Sequence, residues 1–143
     1  MRYIFLITWL IALDSISKLF ALKFLKQELF IIPSLLSFHY VENTGIAFSI
    51  AITGIVLKII TLVLIFGIFW YYWKEEKGKK SFILDISYSF IFAGALWNAW
   101  ERIFRWYVTD FISLEYFAVF NLADSYITLW ACWILYYYSK NKN

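Results

Sequence analysis

Four apolar stretches, approximately Tyr3 to Leu22, Ile52 to Trp73, Phe82 to Trp100 and Leu122 to Tyr138, each approach the roughly 20 residues that a helix needs to cross a bilayer core. They take up most of a 143-residue chain that is 63% apolar and 24% aromatic, a composition outside the range of soluble domains. The expected fold class is therefore an all-α membrane protein with four transmembrane helices. It reads as a single integral-membrane domain over residues 1–143, with outer loops at about 23–51 and 101–121.

The breaks between spans differ. Trp73 is followed by KEEKGKK, a tight charged turn, whereas the first and third breaks are long and mixed, which puts those two loops on the same side. Arg2, Lys74, Lys77, Lys79, Lys80, Lys140 and Lys142 gather on one side and Lys23, Lys26, Arg102 and Arg105 on the other. The positive-inside rule then makes both termini cytoplasmic. Trp, Tyr and Phe cluster near span ends, as in WYYW at 70–73 and WILYYY at 133–138, where amphipathic rings sit at the headgroup level.

MRYIFLITWLIAL has the positive start and short apolar core of a secretory signal. No small-residue cleavage site follows and DSISKLFALKFL continues the helix, so it reads as a retained span. Cys132, the sole cysteine, lies in the fourth span, which leaves no internal disulfide and no thiol–metal cluster. His39 has no His or Cys at ligand spacing and reads as a loop histidine. The formal charge of +3 reflects lysines facing anionic lipid rather than nucleic acid.

An ionisable group inside hydrocarbon needs a partner or a watery cavity. Asp14 lies twelve residues past Arg2, roughly 18 Å along a helix and into the outer leaflet. Lys18 follows one turn later, and the two can form an intrahelical ion pair, although that leaves their depth unexplained. In the third span Gly94, Asn98 and Arg102 recur every four residues along one face. The small residue permits close helix approach, and Asn98 lies about 25 Å from Ser81, also near the outer surface. Asn43 in VENTGIAF and Asp110 in YVTDFISL join from the outer loops.

In FAVFNLADSYITLW, Asn121 precedes Asp124 by three residues, the pattern of a helix N-cap with an acid at the third position. Capping does not account for Asp110, separated from Asp124 by FISLEYFAVFNLA, a segment with strand-like alternation. If that segment folds back, the two carboxylates face each other. Such a pair can take a proton from water with one member and donate one to a scissile carbonyl with the other. The sequence has no Ser/His/Asp set, glycine-rich phosphate loop or HExxH helix.

LDSISK at 13–18, NTGIAF at 43–48, GALWNAWER at 94–102, VTDF at 108–111 and FNLADS at 120–125 together resemble the lipoprotein signal peptidase family, also called signal peptidase II, the bacterial membrane aspartyl proteases. The match covers nearly the whole chain in the family's order. It implies that Asp110 and Asp124 are the catalytic dyad, and that Asp14, Lys18, Asn43, Gly45, Gly94, Asn98, Arg102 and Asn121 support the dyad and the substrate. It implies a prolipoprotein substrate carrying diacylglycerol on a cysteine, cut just before that cysteine. The enzyme would act without metal or organic cofactor, as a monomer in the bacterial inner membrane, with its active site near the outer leaflet. The resemblance further implies a small extracytoplasmic β-platform, formed near LFIIPSLLSFHYVENTGIAF, and a mobile helical lid.

Three positions depart from the family pattern: Trp97 for the usual glycine, Glu101 for Asp, and Ala118 for Pro. None is a dyad position, and Trp97 is expected to narrow the substrate groove or displace the third helix. Two other functions fit the residues. In a small ion or proton transport subunit, Asp14, Lys18, Asp110 and Asp124 would line a polar path, though the inner half of the spans has few ionisable residues and Asp85 reads as a first-turn helix acid. A non-catalytic homologue would bind lipoproteins without cutting them. Lys58, early in the second span, is expected to snorkel outward.

Overall fold

A computed structural model describes residues 3–45 and 54–141. Ile46, Ala47 and Phe48 of the NTGIAF loop, Ile52 at the expected start of the second span, and the topogenic Arg2 and Lys142 lie outside the described residues. The elements run α1 (Ile4–Phe24), β1 (Leu29–Ile32), β2 (Leu36–Asn43), α2 (Gly54–Tyr71), α3 (Phe82–Arg105), β3 (Val108–Leu114) and α4 (Leu122–Lys140). By length and composition, the helical segments 4–24, 54–79 and 82–105 can cross a membrane. At 19 residues α4 is comparable in length, but its first turn carries Asp124 and its last Lys140.

The central helix is α3, against which α1, α2 and α4 all pack. Its buried residues include Leu84, Tyr88, Ile91, Ala93 and Ala99 along with Gly94, Asn98 and Glu101. Outward-facing large apolar side chains, such as Phe5, Phe66 and Leu135, suit a surface solvated by hydrocarbon rather than water. Gly94 sets the α3–α4 approach: a Cβ there would lie 2.5 Å from the Ala123 carbonyl oxygen and 3.0 Å from Ile127 Cγ1.

The charged turn after α2 is more wound than a simple loop. A π-helical turn (Tyr72–Glu76) and a 3-10 turn (Lys77–Lys79) lead to Lys80 in the left-handed region. Glu76, almost fully buried there, accepts hydrogen bonds from Tyr138 and from Lys79. Helix α3 continues to Arg105, past the expected end at Trp100, so Arg102 and Arg105 are helical rather than part of the loop. Two contacts stabilise that last turn: Arg105 pairs with Glu101 at 3.3 Å, and Lys58 Nζ donates to the Ile103 carbonyl at 2.9 Å. Lys58 also lies 3.0 Å from the Trp106 ring centroid, a cation–π contact that joins α2 to the end of α3.

The two long loops meet in one antiparallel sheet of order β1-β2-β3. Strands β1 and β2 form a hairpin closed by Ser34 at φ 56 and a Leu35 N–H to Ile32 carbonyl bond of 3.1 Å. Strand β3 pairs with β2 with Val41 opposite Asp110 and Asn43 opposite Val108. Both loops therefore lie at the same end of the helices. His39 lies on β2, with Nδ1 3.8 Å from Glu28.

Candidate active site

The site is organised around the N-terminus of α4, whose first backbone N–H groups have no partner within the helix. Asn121 is the N-cap: its Oδ1 accepts from the Asp124 N–H at 2.9 Å, and Asp124 Oδ2 accepts from the Asn121 N–H at 3.3 Å. This is a reciprocal capping box. Asp14 on α1 satisfies another N–H of the same turn, its Oδ1 accepting from Ala123 at 2.9 Å. Asp124 therefore caps its own helix, but its side chain also extends to α3, where Asn98 Nδ2 donates to Oδ1 at 2.9 Å.

Asp110 arrives from the sheet. After β3 the chain turns and comes back, with Phe111 and Ile112 donating to the Phe120 carbonyl and Phe120 donating to Ile112. This return sets Asn121 beside Asp110, and Asn121 Nδ2 donates to Asp110 Oδ1 at 2.6 Å. Asn43, at the end of β2, donates to the other oxygen at 2.8 Å, and its own Oδ1 accepts from the Gly45 N–H at 3.0 Å. One asparagine amide thus serves both acids, its oxygen bound to the Asp124 backbone and its nitrogen to the Asp110 carboxyl.

Asp110 is 2% exposed. Burial pushes its carboxyl up to about 6; the nearby Asp124 charge acts in the same direction, while the Asn43 and Asn121 hydrogen bonds and the Lys18 charge oppose it. Asp124 is only half-buried. It opens with Arg102, Ser125 and Phe120 onto a largely apolar groove of about 550 Å³. Arg102 is within electrostatic reach of both aspartates, and its buried Nε has no hydrogen-bond partner among the described residues.

Lys18 is more than half of an intrahelical pair. Its Nζ lies 2.7 Å from Asp14 Oδ2 and 2.7 Å from Glu101 Oε2, and donates at 2.8 Å to Asn98 Oδ1. Asp14, Lys18, Asn43, Gly45, Gly94, Asn98, Arg102, Asn121 and the two acids Asp110 and Asp124 therefore form one linked cluster, Gly94 through its contact with Ala123 and Arg102 through the charges it faces.

Glu101 is a further member of the cluster, noted in the sequence only as a departure from the family's Asp and given no site role there. Its carboxylate, 1% exposed, binds Lys18 and accepts from the Thr109 hydroxyl at 3.1 Å. The available signal was its spacing, three residues after Asn98 on the face directed at α1. Trp97 does not narrow the groove beside Asp124. It stacks on Trp100 with centroids 4.8 Å apart and lines a separate cavity of about 210 Å³ with Lys18 and Glu101. Ala118 does line the Asp124 groove. Among the described residues no group of three His, Cys, Asp or Glu side chains is placed to hold a metal ion.

A lipoprotein signal peptidase of Clostridium novyi (strain NT) is 41% identical over 123 residues, 80% of this chain and 81% of that protein. One from Chlorobaculum tepidum is 34% identical over 146 residues, covering 90% and 88%. A solved bacterial membrane enzyme superposes with a TM-score of 0.82 at 24% identity, over 99% of this chain and 90% of that one, a likeness of fold. The profile of the family described as Signal peptidase (SPase) II matches residues 6–140, and the chain belongs to that family.

Proposed function

We propose that this membrane aspartic peptidase removes signal peptides from diacylglyceryl-modified prolipoproteins, with Asp110 and Asp124 as its catalytic pair. The observation that carries the assignment is the shared Asn121 amide, which holds two acids from different elements in one site beside an apolar groove. Family membership favours peptidase chemistry over the transport and binding-only alternatives.

In the reaction, one aspartate is ionised and takes a proton from the attacking water while the other, protonated, donates to the scissile carbonyl oxygen. Water oxygen bonds to the carbonyl carbon, giving a neutral gem-diol. Its collapse breaks the C–N bond, the amine nitrogen receives a proton, and the pair returns to its singly protonated state. The proton belongs to the pair. Asn43 and Asn121 fix the Asp110 carboxyl, Asn98 fixes Asp124, and the Arg102 guanidinium, lining the groove beside Asp124, sets a positive charge near both acids.

The apolar wall of the groove, including Phe117, Phe120 and Leu129, suits the diacylglyceryl chains, and a lateral opening admits them from the bilayer. We place α4 as a fourth membrane crossing, both termini in the cytoplasm, and the sheet with the dyad at the outer leaflet of a bacterial inner membrane. The test is cleavage of a synthetic prolipoprotein with and without diacylglycerol by purified protein in detergent. Cleavage of the lipidated form, just before its cysteine and much faster than the bare peptide, is expected; equal turnover of both would refute the lipid role of the groove.

A further inference from the structure

We infer that Glu101 is a positioning residue for the dyad, locking the register between β3, α1 and α3 from the side away from the substrate groove; this rests on the dyad reading above. Its two carboxylate oxygens connect three elements. Oε2 binds Lys18 Nζ at 2.7 Å and lies 3.4 Å from the Thr109 N–H, while Oε1 accepts from the Thr109 hydroxyl at 3.1 Å and from Arg105 at 3.3 Å.

Each contact leads to one of the acids. Thr109 immediately precedes Asp110 on β3, so fixing its backbone and hydroxyl fixes the strand position from which Asp110 projects. Lys18, held between Glu101 and Asp14, donates to Asn98, and Asn98 in turn donates to Asp124. Asp14 anchors the Ala123 N–H, one residue before Asp124. Glu101 therefore acts on Asp110 through one residue and on Asp124 through two. It lines the small cavity with Ser15, Trp97 and Arg105 rather than the groove at Asp124, so it has no role in holding the scissile peptide.

Charge accompanies the geometry. The groups facing the dyad are Lys18 from α1, Asn43 from β2, Asn98 and Arg102 from α3, and the α4 N-cap Asn121, with Asp14 and Glu101 facing Lys18 behind them. Glu101 and Asp14 together offset the buried Lys18 ammonium. Removing the Glu101 charge leaves more of the Lys18 field acting on the acids, which favours their ionised forms.

The test is the pH–rate profile of Glu101→Gln and Glu101→Asp with lipidated substrate, beside Asp110→Asn and Asp124→Asn. Glu101→Gln is expected to lower kcat by about a hundredfold, as small misplacements of catalytic groups do, with KM near the wild-type value. Its alkaline limb, where the shared proton is lost, is expected at lower pH than in the wild type. Glu101→Asp, which keeps the charge, is expected to restore the position of that limb with a smaller loss of kcat. A wild-type profile in Glu101→Gln, a rise in KM equal to the loss of kcat/KM, or a limb unmoved in both variants would overturn the inference. Activity retained in Asp110→Asn or Asp124→Asn would instead overturn the dyad reading.

Discussion

Asn121 joins two roles in one side chain, a helix cap and a brace for the Asp110 carboxyl, and a single substitution separates them. In Asn121→Asp the cap acceptor for the Asp124 N–H remains, so the cost of about 1 kcal/mol expected on losing a cap is avoided. The donor to Asp110 is replaced by a second carboxylate. Activity should fall more than tenfold while Tm in detergent changes by a few degrees at most; a variant as active as the wild type would show that the bond to Asp110 is dispensable. Asp110 itself gives a stability signature. An unfolded carboxyl titrates near 4 and this one near 6 in the folded protein, so the folded state binds the proton more tightly. The resulting stabilisation is fully present below pH about 4 and lost as the pH rises through about 6, up to roughly 3 kcal/mol for a shift of this size. Compared with Asp110→Asn, which does not titrate, the wild type should lose Tm between pH 4 and 6 and level off above. A Tm difference independent of pH would contradict the raised value.

Elements are held at the site by close approach rather than by bulk. Ala123 is fixed on two sides, its carbonyl under Gly94 and its N–H bonded to Asp14, one residue before Asp124. Gly94→Ala must push α4 away from α3, because the contact is with backbone that cannot rotate aside. The expected result is a lower Tm together with at least a tenfold loss of kcat; unaltered activity would mean that the helix spacing does not set the position of Asp124. This element-level geometry was only partly readable. The Gly94, Asn98, Arg102 face follows from helical spacing alone, and the strand-like alternation after Asp110 matches the return of the chain onto β3. The end of α3 was not legible. Glu101 and Arg105 look like loop residues until Lys18, Thr109 and Lys58 are seen to partner that turn. Strand β1 was expected only through the family resemblance, since all four of its residues are exposed and it carries no alternation to betray a buried face.

Across the whole molecule, the polar cluster lies at the sheet end of the helices, where β2 from one long loop pairs with β3 from the other. Apolar spans made the membrane class plain from composition. Acids are expensive in that setting, which made Asp14, Asp110 and Asp124 conspicuous among so few charges. What the chain could not disclose one residue at a time was the wiring, because the bonds that matter join positions far apart in sequence, such as Lys18 to Asn98 and Asn43 to Asp110. On the reading proposed above, this wiring holds two carboxyls to share one proton at the end of a groove lined largely by apolar side chains. Its most direct test is the initial rate of cleavage of a diacylglyceryl prolipoprotein by the wild type, Asp110→Asn and Asp124→Asn, each shown to be folded by its detergent Tm. Both folded variants are expected to fall by at least a thousandfold; wild-type-like turnover in either would contradict the assignment of the two acids as the catalytic pair.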